Sequence, residues 1–338
     1  MILVTGGTGL LGSHLLFDLI RSEKPVRAIK RKSSDTGIIK KIFSYYSDQA
    51  ESMAAKIEWV DADLLDFGSM EVALDGITEI YHAGAVVSFY PEDHRDMLKV
   101  NIEGTANLVN LALHYPVRKF CYVSSVSTLG RADNNGLTDE ETFWASSGKN
   151  SMYAVSKYGA EREVWRGMEE GLNAVVVNPS VILGPGFWDD NSGFFRLVWE
   201  GLKYYTKGAN GFVDVRDVTK AMVLVMEKNL FNERFIVSSE NISYRELFNL
   251  IAKYLGKPQP SVHVPPLLGH FAWRLEKARS SLAGSKPLLT KEMATTISQH
   301  YIFSNEKIRK ILELEFIPLE ESIRQNCEFF KKDHFIEE

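Results

Sequence analysis

Met1-Ile2-Leu3-Val4-Thr5 followed by Gly6-Gly7-Thr8-Gly9-Leu10-Leu11-Gly12 opens the chain. A short apolar run ends in a glycine cluster, and Leu11, Leu15, Leu16, Leu19 and Ile20 then recur at helical spacing. The stretch reads as strand, tight turn and helix, with the glycines at the turn. Gly6 opens a backbone conformation closed to other residues. Gly9 lets the main chain approach a pyrophosphate, and Gly12 lets the helix pack close to the strand. Free amides and partial positive charge at the helix N-terminus favour phosphate. The turn predicts dinucleotide binding by Gly6, Thr8, Gly9, Leu10, Leu11 and Gly12.

Outward from this turn, strand and helix alternate for about half the chain. Strands are expected at 26–29, 57–60, Glu79–His82, 119–124 and 174–178, and helices at 95–114 and 151–170 among those between them. This predicts an α/β fold, a doubly wound parallel sheet (Rossmann) covered on both faces. Right-handed crossovers would place all strand C-terminal ends on one edge, where ligands bind. Beyond residue 180 the pattern loosens, with turn-rich stretches at Gly184-Pro185-Gly186, 208–211, 256–260 and Pro265-Pro266. Helices are expected there at 191–203, 217–228, Tyr244–Leu255, 267–282, 305–312 and 319–332. The division expected is a dinucleotide-binding domain of 1–180 plus about 212–238, and a smaller, mostly helical C-terminal substrate lobe of about 181–211 and 239–338.

The chain has 338 residues, 45% of them apolar, enough for one large α/β unit or two lobes. A net charge of −5 carries no nucleic-acid footprint. Cys121 and Cys327 form no spaced pattern, and Cys121 reads as a buried small hydrophobe in Phe120-Cys121-Tyr122-Val123. No disulfide framework is implied, which fits a reducing cytosol and a cytoplasmic protein. The first residues are already a strand, leaving none for a signal peptide. No apolar run nears the ~18 residues of a transmembrane helix, so no membrane partner is expected. His263, His270 and His300 lack metal-ligand spacing, so no metal site is expected.

In NAD-binding turns, an acidic residue roughly 20 residues on takes the ribose hydroxyl. Here the second strand ends Ala28-Ile29-Lys30-Arg31-Lys32-Ser33-Ser34, with no Asp or Glu at that place. Arg31 stands where the acid would be, and a guanidinium pairs with phosphate through its planar fork. NADP (as NADPH) is therefore expected over NAD, with Arg31 and Lys32 as contacts; Asp35 falls too late in the loop. The third strand ends Val60-Asp61-Ala62-Asp63-Leu64. There Asp63 and the backbone amide beside it hold the adenine, or Asp63 merely caps a turn. The fourth gives His82-Ala83-Gly84-Ala85, small residues that admit a flat ring or ribose. His82 itself is given no role.

The fifth strand runs into Ser124-Ser125-Val126-Ser127, and Tyr153-Ala154-Val155-Ser156-Lys157 follows in a helical segment. Tyr153 and Lys157 share one helix face. An ammonium beside a phenol favours the phenolate, so Lys157 is expected to draw Tyr153 down toward neutrality, helped by an oxidised nicotinamide. Ser125 can hold a carbonyl or hydroxyl oxygen near Tyr153. Together these describe hydride chemistry on a carbonyl, with Tyr153 as the proton donor.

These residues resemble the extended short-chain dehydrogenases/reductases, the NAD(P)-dependent epimerase/dehydratase superfamily, and within it the dihydroflavonol-reductase-like branch. The resemblance rests on the 5–12 turn, Ala28-Ile29-Lys30-Arg31, Asp63-Leu64, His82-Ala83-Gly84-Ala85, Asn101, Ser124-Ser125, Tyr153 to Lys157, Asn178-Pro179-Ser180 and Gly184-Pro185-Gly186. It implies Ser125, Tyr153 and Lys157 in the catalytic places, with Ser125 favoured over Ser127 by counting back from Gly130. It implies Asn101 as a helix-bending asparagine that helps hold the lysine and a proton-relay water. It implies cofactor contacts at Ser124, Pro179 and Ser180, the last two beside the nicotinamide. A homodimer through helices 95–114 and 151–170 is a further family expectation.

Sugar-nucleotide dehydratases of this superfamily carry Thr-Asp-Glu around the catalytic hydroxyl, where this chain has Ser125-Val126-Ser127. Phe187, Trp188, Phe194, Phe195, Phe212, Phe271 and Trp273 either favour an apolar or ring-bearing carbonyl substrate or pack a core. The reading favoured is an NADPH-dependent reductase of an aldehyde or ketone, reversible as an alcohol dehydrogenase. The alternatives are an NAD-dependent nucleotide-sugar epimerase and a non-catalytic NADP-binding sensor.

Overall fold

The computed structural model describes residues 1–130, 136–148, 150–188, 193–265, 273–274, 279 and 290–336. The strands are β1 (Ile2–Thr5), β2 (Val26–Lys30), β3 (Glu58–Asp61), β4 (Glu79–His82), β5 (Lys119–Val123), β6 (Ala174–Pro179), β7 (Val181–Leu183), β8 (Tyr204–Tyr205), β9 (Ala209–Asp214), β10 (Glu233–Val237), β11 (Glu240–Ser243) and β12 (Val262–His263). The helices are α1 (Leu10–Arg21), α2 (Gly37–Ser44), α3 (Ala50–Ala54), α4 (Phe67–Ala73), α5 (His94–Leu98), α6 (Gly104–His114), α7 (Met152–Glu169), α8 (Phe194–Trp199), α9 (Val215–Glu227), α10 (Tyr244–Leu255), α11 (Lys291–Thr296), α12 (Glu306–Leu312) and α13 (Leu319–Ile336).

Seven strands make one sheet in the order β10-β6-β5-β4-β1-β2-β3, with every neighbouring pair parallel. The chain winds outward from β1 through β2 to β3, then returns to β1's other side with β4. The order reverses between β1 and β4, which places a ligand crevice at their C-terminal ends. Strands covered on both faces must be apolar throughout, and Leu3, Val4, Val175 and Val177 are completely buried. On one face α1 and α9 pack Leu15, Leu19, Val218 and Met222 against the sheet. On the other, α4, α6 and α7 contribute Met70, Leu108, Ala160 and Val164.

A third core joins α8, α10 and α13 through Phe195, Phe248, Ile251 and Phe330. Helix α10 opens on a Ser243–Glu246 capping box and ends on Gly256 at φ 71°. Two small sheets lie outside the main one, β11-β9-β7 and β12-β8. Within 212–238, β10 extends the main sheet while β9 pairs with β7 and β11. Short strands with distant partners carry little periodicity, so the small sheets are not visible in the sequence. The aromatic stretch is mainly packing: Trp188, Phe195 and Phe212 are buried core, and Phe194 packs against them. Phe271, His270, Pro266 and nearly all of the helix expected at 267–282 lie outside the described residues, as do 191–192 of the helix expected at 191–203.

Among the described residues no helix is long and apolar enough to cross a membrane. Among them, too, no group of three metal-binding side chains comes together.

Candidate active site

At the crevice the first turn is locked by backbone. Gly6 sits at φ 70°, and a Cβ there would meet Gly84 N at 2.7 Å and Ala83 O at 2.8 Å. A Cβ on Gly12 would lie 2.1 Å from Gly6 O. Both glycines are thus required by the fold itself, and the turn rests on the Ala83–Gly84 segment beyond β4. Gly9 differs. Its only near neighbour would be Gly6 O at 3.4 Å, an ordinary contact. Gly9 also caps α1 without a side-chain acceptor, which leaves the first amides of the helix for another partner. Thr8 is half-buried and Leu11 buried, and Leu10 lies against Gly184, whose Cβ would come within 3.1 Å of Leu10 Cδ1. An open glycine before uncapped amides is the cradle a pyrophosphate needs, so these residues fit a dinucleotide.

At the end of β2, Lys30 is ion-paired with Asp61, whereas Arg31 and Lys32 project as exposed cations. Asp35 is turned to the N-terminus of α2, accepting from Gly37 N at 2.7 Å. After β3, Asp63 Oδ1 accepts from Leu65 N at 2.9 Å and so closes a turn. Leu64 is buried, and its carbonyl accepts from Asn107 at 3.0 Å. Ala83 and Gly84 are half-buried and Ala85 exposed.

The reactive side chains stand beyond β5 and on α7. Ser151 caps α7, accepting from Ala154 N at 3.1 Å, and thereby sets the first turn that carries Tyr153. Burial raises the Tyr153 hydroxyl pKa, and a hydrogen bond from Ser125 only partly opposes this. The direction is opposite to that expected from Lys157. Desolvation of the phenolate outweighs what the protein's own groups offer it. Ser125 Oγ also accepts from Ser127 N at 3.2 Å, and Ser127 Oγ is buried without a partner. Lys157 donates to Val123 O at 2.6 Å and lies 4.4 Å from the Tyr122 ring centroid. Burial pushes its pKa down to about 7, with Glu161 pulling the other way.

Asn101 sits in a π-helical turn, Lys99–Glu103, between α5 and α6, where the sequence suggests one helix over 95–114. Its side chain accepts from Val86 N at 2.7 Å and donates to Val86 O at 2.9 Å and to Ser156 Oγ at 3.0 Å. It ties the segment after β4 to α7; these hydrogen bonds run to Val86 and Ser156 and none to Lys157. Pro179 ends β6 and Ser180 follows it, both buried, with Ser180 N donating to Val237 O at 3.0 Å. The Ser124 hydroxyl donates to Glu161 at 2.5 Å.

Two residues outside the expected site gain roles. His82 is completely buried, with Nδ1 2.7 Å from Thr5 Oγ1 and Nε2 3.0 Å from Thr105 Oγ1. Burial pushes its pKa down to about 3, so the ring is neutral. Thr105 gives its one proton to Asn101 O at 2.6 Å and must accept from Nε2–H. Nδ1 is then an acceptor, Thr5 donates to it, and Thr5 accepts from Gly84 N at 3.0 Å. Glu161, the second, continues the Tyr153–Lys157 face by one more helical turn, a repeat of four that was readable in the sequence.

A sequence model of the NAD dependent epimerase/dehydratase family matches residues 2–237. The chain is 29% identical to sterol demethylase protein B of Methylococcus capsulatus, over 79% of this chain and 78% of that protein. It is 30% identical to tetraketide alpha-pyrone reductase 2 of Arabidopsis thaliana, over 76% and 83% respectively. The UDP-glucose 4-epimerase of Thermotoga maritima superposes with a TM-score of 0.76 at 22% identity, covering 98% of this chain and 99% of the other, a likeness of fold. The chain belongs to the NAD dependent epimerase/dehydratase family, as an NAD(P)-dependent oxidoreductase of the extended short-chain type.

Proposed function

We propose that the protein is an NADPH-dependent reductase of a small aldehyde or ketone, running reversibly as an alcohol dehydrogenase. One observation carries this reading: Tyr153 stands one helical turn before the buried Lys157 on α7, and Ser125 at the end of β5 acts to lower the pKa of its hydroxyl. In this reading Gly6, Thr8, Gly9, Leu10, Leu11 and Gly12 hold the pyrophosphate. Arg31 and Lys32 take the extra phosphate, and Asp63 and Leu64 the adenine. Ala83, Gly84 and Ala85 leave room for ribose, and Pro179 and Ser180 flank the nicotinamide. When bound, the dinucleotide supplies or removes hydride.

The protein's part is the proton. Burial keeps Tyr153 protonated at neutral pH, as a donor to a carbonyl oxygen must be. Ser125 orients that oxygen. Lys157 binds ribose hydroxyls and keeps positive charge beside the phenol, which helps it part with its proton. Phe89, whose ring centroid is 6.0 Å from that of Tyr153, gives the substrate side an apolar wall. The reductase named among the relatives acts, by its name, on a ring-bearing ketide, which supports a similar substrate class here. Both cysteines are buried thiols, in keeping with a cytosolic protein, and a homodimer is part of the same proposal, to be read by light scattering.

The deciding experiment is NADPH and NADH oxidation against a carbonyl panel with a sugar-nucleotide panel beside it. Turnover of carbonyls with exogenous NADPH is expected. Sugar-nucleotide turnover with retained NAD would replace this reading with an epimerase, and binding without any turnover would make the protein a sensor.

A further inference from the structure

The Glu161 carboxylate is almost completely buried, yet five donors from four parts of the fold converge on it. Oε2 accepts from Ser124 Oγ at 2.5 Å, Thr128 Oγ1 at 2.7 Å and Asn178 Nδ2 at 3.0 Å. Oε1 accepts from Trp165 Nε1 at 3.2 Å and lies 3.6 Å from the Arg234 guanidinium. Asn178 Nδ2, Trp165 Nε1 and the Arg234 guanidinium can only donate, and the Ser124 and Thr128 hydroxyls add two further donors, so the cage suits a carboxylate. Ser124 adjoins Ser125, Asn178 adjoins Pro179, and Glu161 lies one helical turn beyond Lys157. The cage therefore fastens together the three segments that carry the proposed chemistry.

We propose that Glu161 is a positioning residue for the proton-transfer site: its caged carboxylate keeps the Lys157 ammonium charged and seated on Val123 O, and fixes Ser125 and Tyr153 relative to each other. This rests on the Ser-Tyr-Lys reading above. The groups facing Lys157 leave this part to Glu161. His82 on β4 is neutral, and Tyr122 on β5 offers its ring face. Tyr153 on α7 is held protonated by burial. Arg234 on β10 is a cation, held off by Glu161 itself and by its own bond to Glu140 O at 2.7 Å. Glu161 is the anion acting on a lysine that burial would otherwise discharge.

The test reads Lys157 directly, in the protein without substrate, by the pH titration of its 13Cε signal, assigned with Lys157→Arg. Glu161→Gln is expected to move this titration down by about one pH unit or more, and Glu161→Asp to restore part of it. Arg234→Gln, at the sheet edge, is expected to move it up, which provides a second reading should Glu161→Gln fold poorly. The alkaline limb of kcat, where Lys157 loses its proton, should follow the same shifts while KM for NADPH changes less. A Lys157 titration unmoved in folded Glu161→Gln, or unmoved in Arg234→Gln, overturns the proposal. Failure of the Ser-Tyr-Lys reading would show separately, as a Tyr153→Phe enzyme with normal turnover.

Discussion

The two ends of the crevice are built from different materials. The side formed by β1 and β4 is mainly main chain: Gly6, Gly12, Ala83 and Gly84 meet at backbone distances, with Thr5 Oγ1 accepting from Gly84 N. The side formed by β5, β6 and α7 is built with side chains: Ser124, Thr128 and Asn178 close on Glu161, Asn178 also holds Ser125 O, and Lys157 is seated on Val123 O. A backbone site is specified by where glycine stands. A buried side-chain site is specified by distant partners, and one lost partner leaves a desolvated group behind.

The largest expected break in this contrast is chemical. Tyr153→Phe should lower kcat about a thousandfold in a steady-state NADPH assay, while the fold and NADPH binding stay intact. The second is mechanical. Gly12→Ala places a carbon 2.1 Å from a main-chain oxygen that cannot swing away. It should cost ~3 kcal/mol or more in chemical unfolding, or prevent folding. Gly9→Ala, in the same turn, should change stability by less than ~1 kcal/mol yet weaken dinucleotide binding about tenfold, read by fluorescence titration. Equal stability losses at the two glycines would erase the distinction between a fold-bound and a ligand-bound glycine.

The third concerns pH. His82 in the folded protein takes a proton only near pH 3, whereas in the unfolded chain it does so near 6.5. Between these values the unfolded state holds more protons, so the stability contributed by the neutral ring is lost as pH falls below 6.5. Asp217, pushed up to about 7, works in the opposite sense, so the clean measure is a difference. His82→Gln, which can still accept from Thr5 and donate to Thr105, should flatten the fall in stability between about pH 6.5 and 4 by on the order of 3 kcal/mol. Identical slopes for the two proteins would mean that His82 is not the buried neutral ring described. The smallest effect expected is at Arg31: Arg31→Ala should lower the preference for NADPH over NADH about tenfold, and no preference in the wild type would remove Arg31 from the phosphate.

This contrast also explains what could be read in the sequence. The 5–12 turn, the parallel sheet and the Tyr153–Lys157 face are local patterns, with spacings of two, three or four residues fixed by backbone geometry. Asp35 could be set aside on position alone, and the structure engages it with Gly37 N. The Glu161 cage draws Ser124, Asn178 and Arg234 from strands far apart in the chain, and no spacing announces them. The sequence shows Lys157 four residues from Tyr153 but not how deeply the phenol is buried, and in the protein's own groups burial sets the direction of its pKa. Ser124, implied at the cofactor by the resemblance alone, gives its hydroxyl proton to Glu161, 37 residues further along the chain.

The chain of contacts from Gly84 through Thr5, His82 and Thr105 to Asn101 looks like a proton wire. Its terminal groups are a peptide N–H and a peptide carbonyl, neither of which exchanges a proton readily with its surroundings. The wire is therefore capped at both ends and insulates. In the proposed reaction, this chain of contacts therefore cannot serve to replace a proton that Tyr153 gives up.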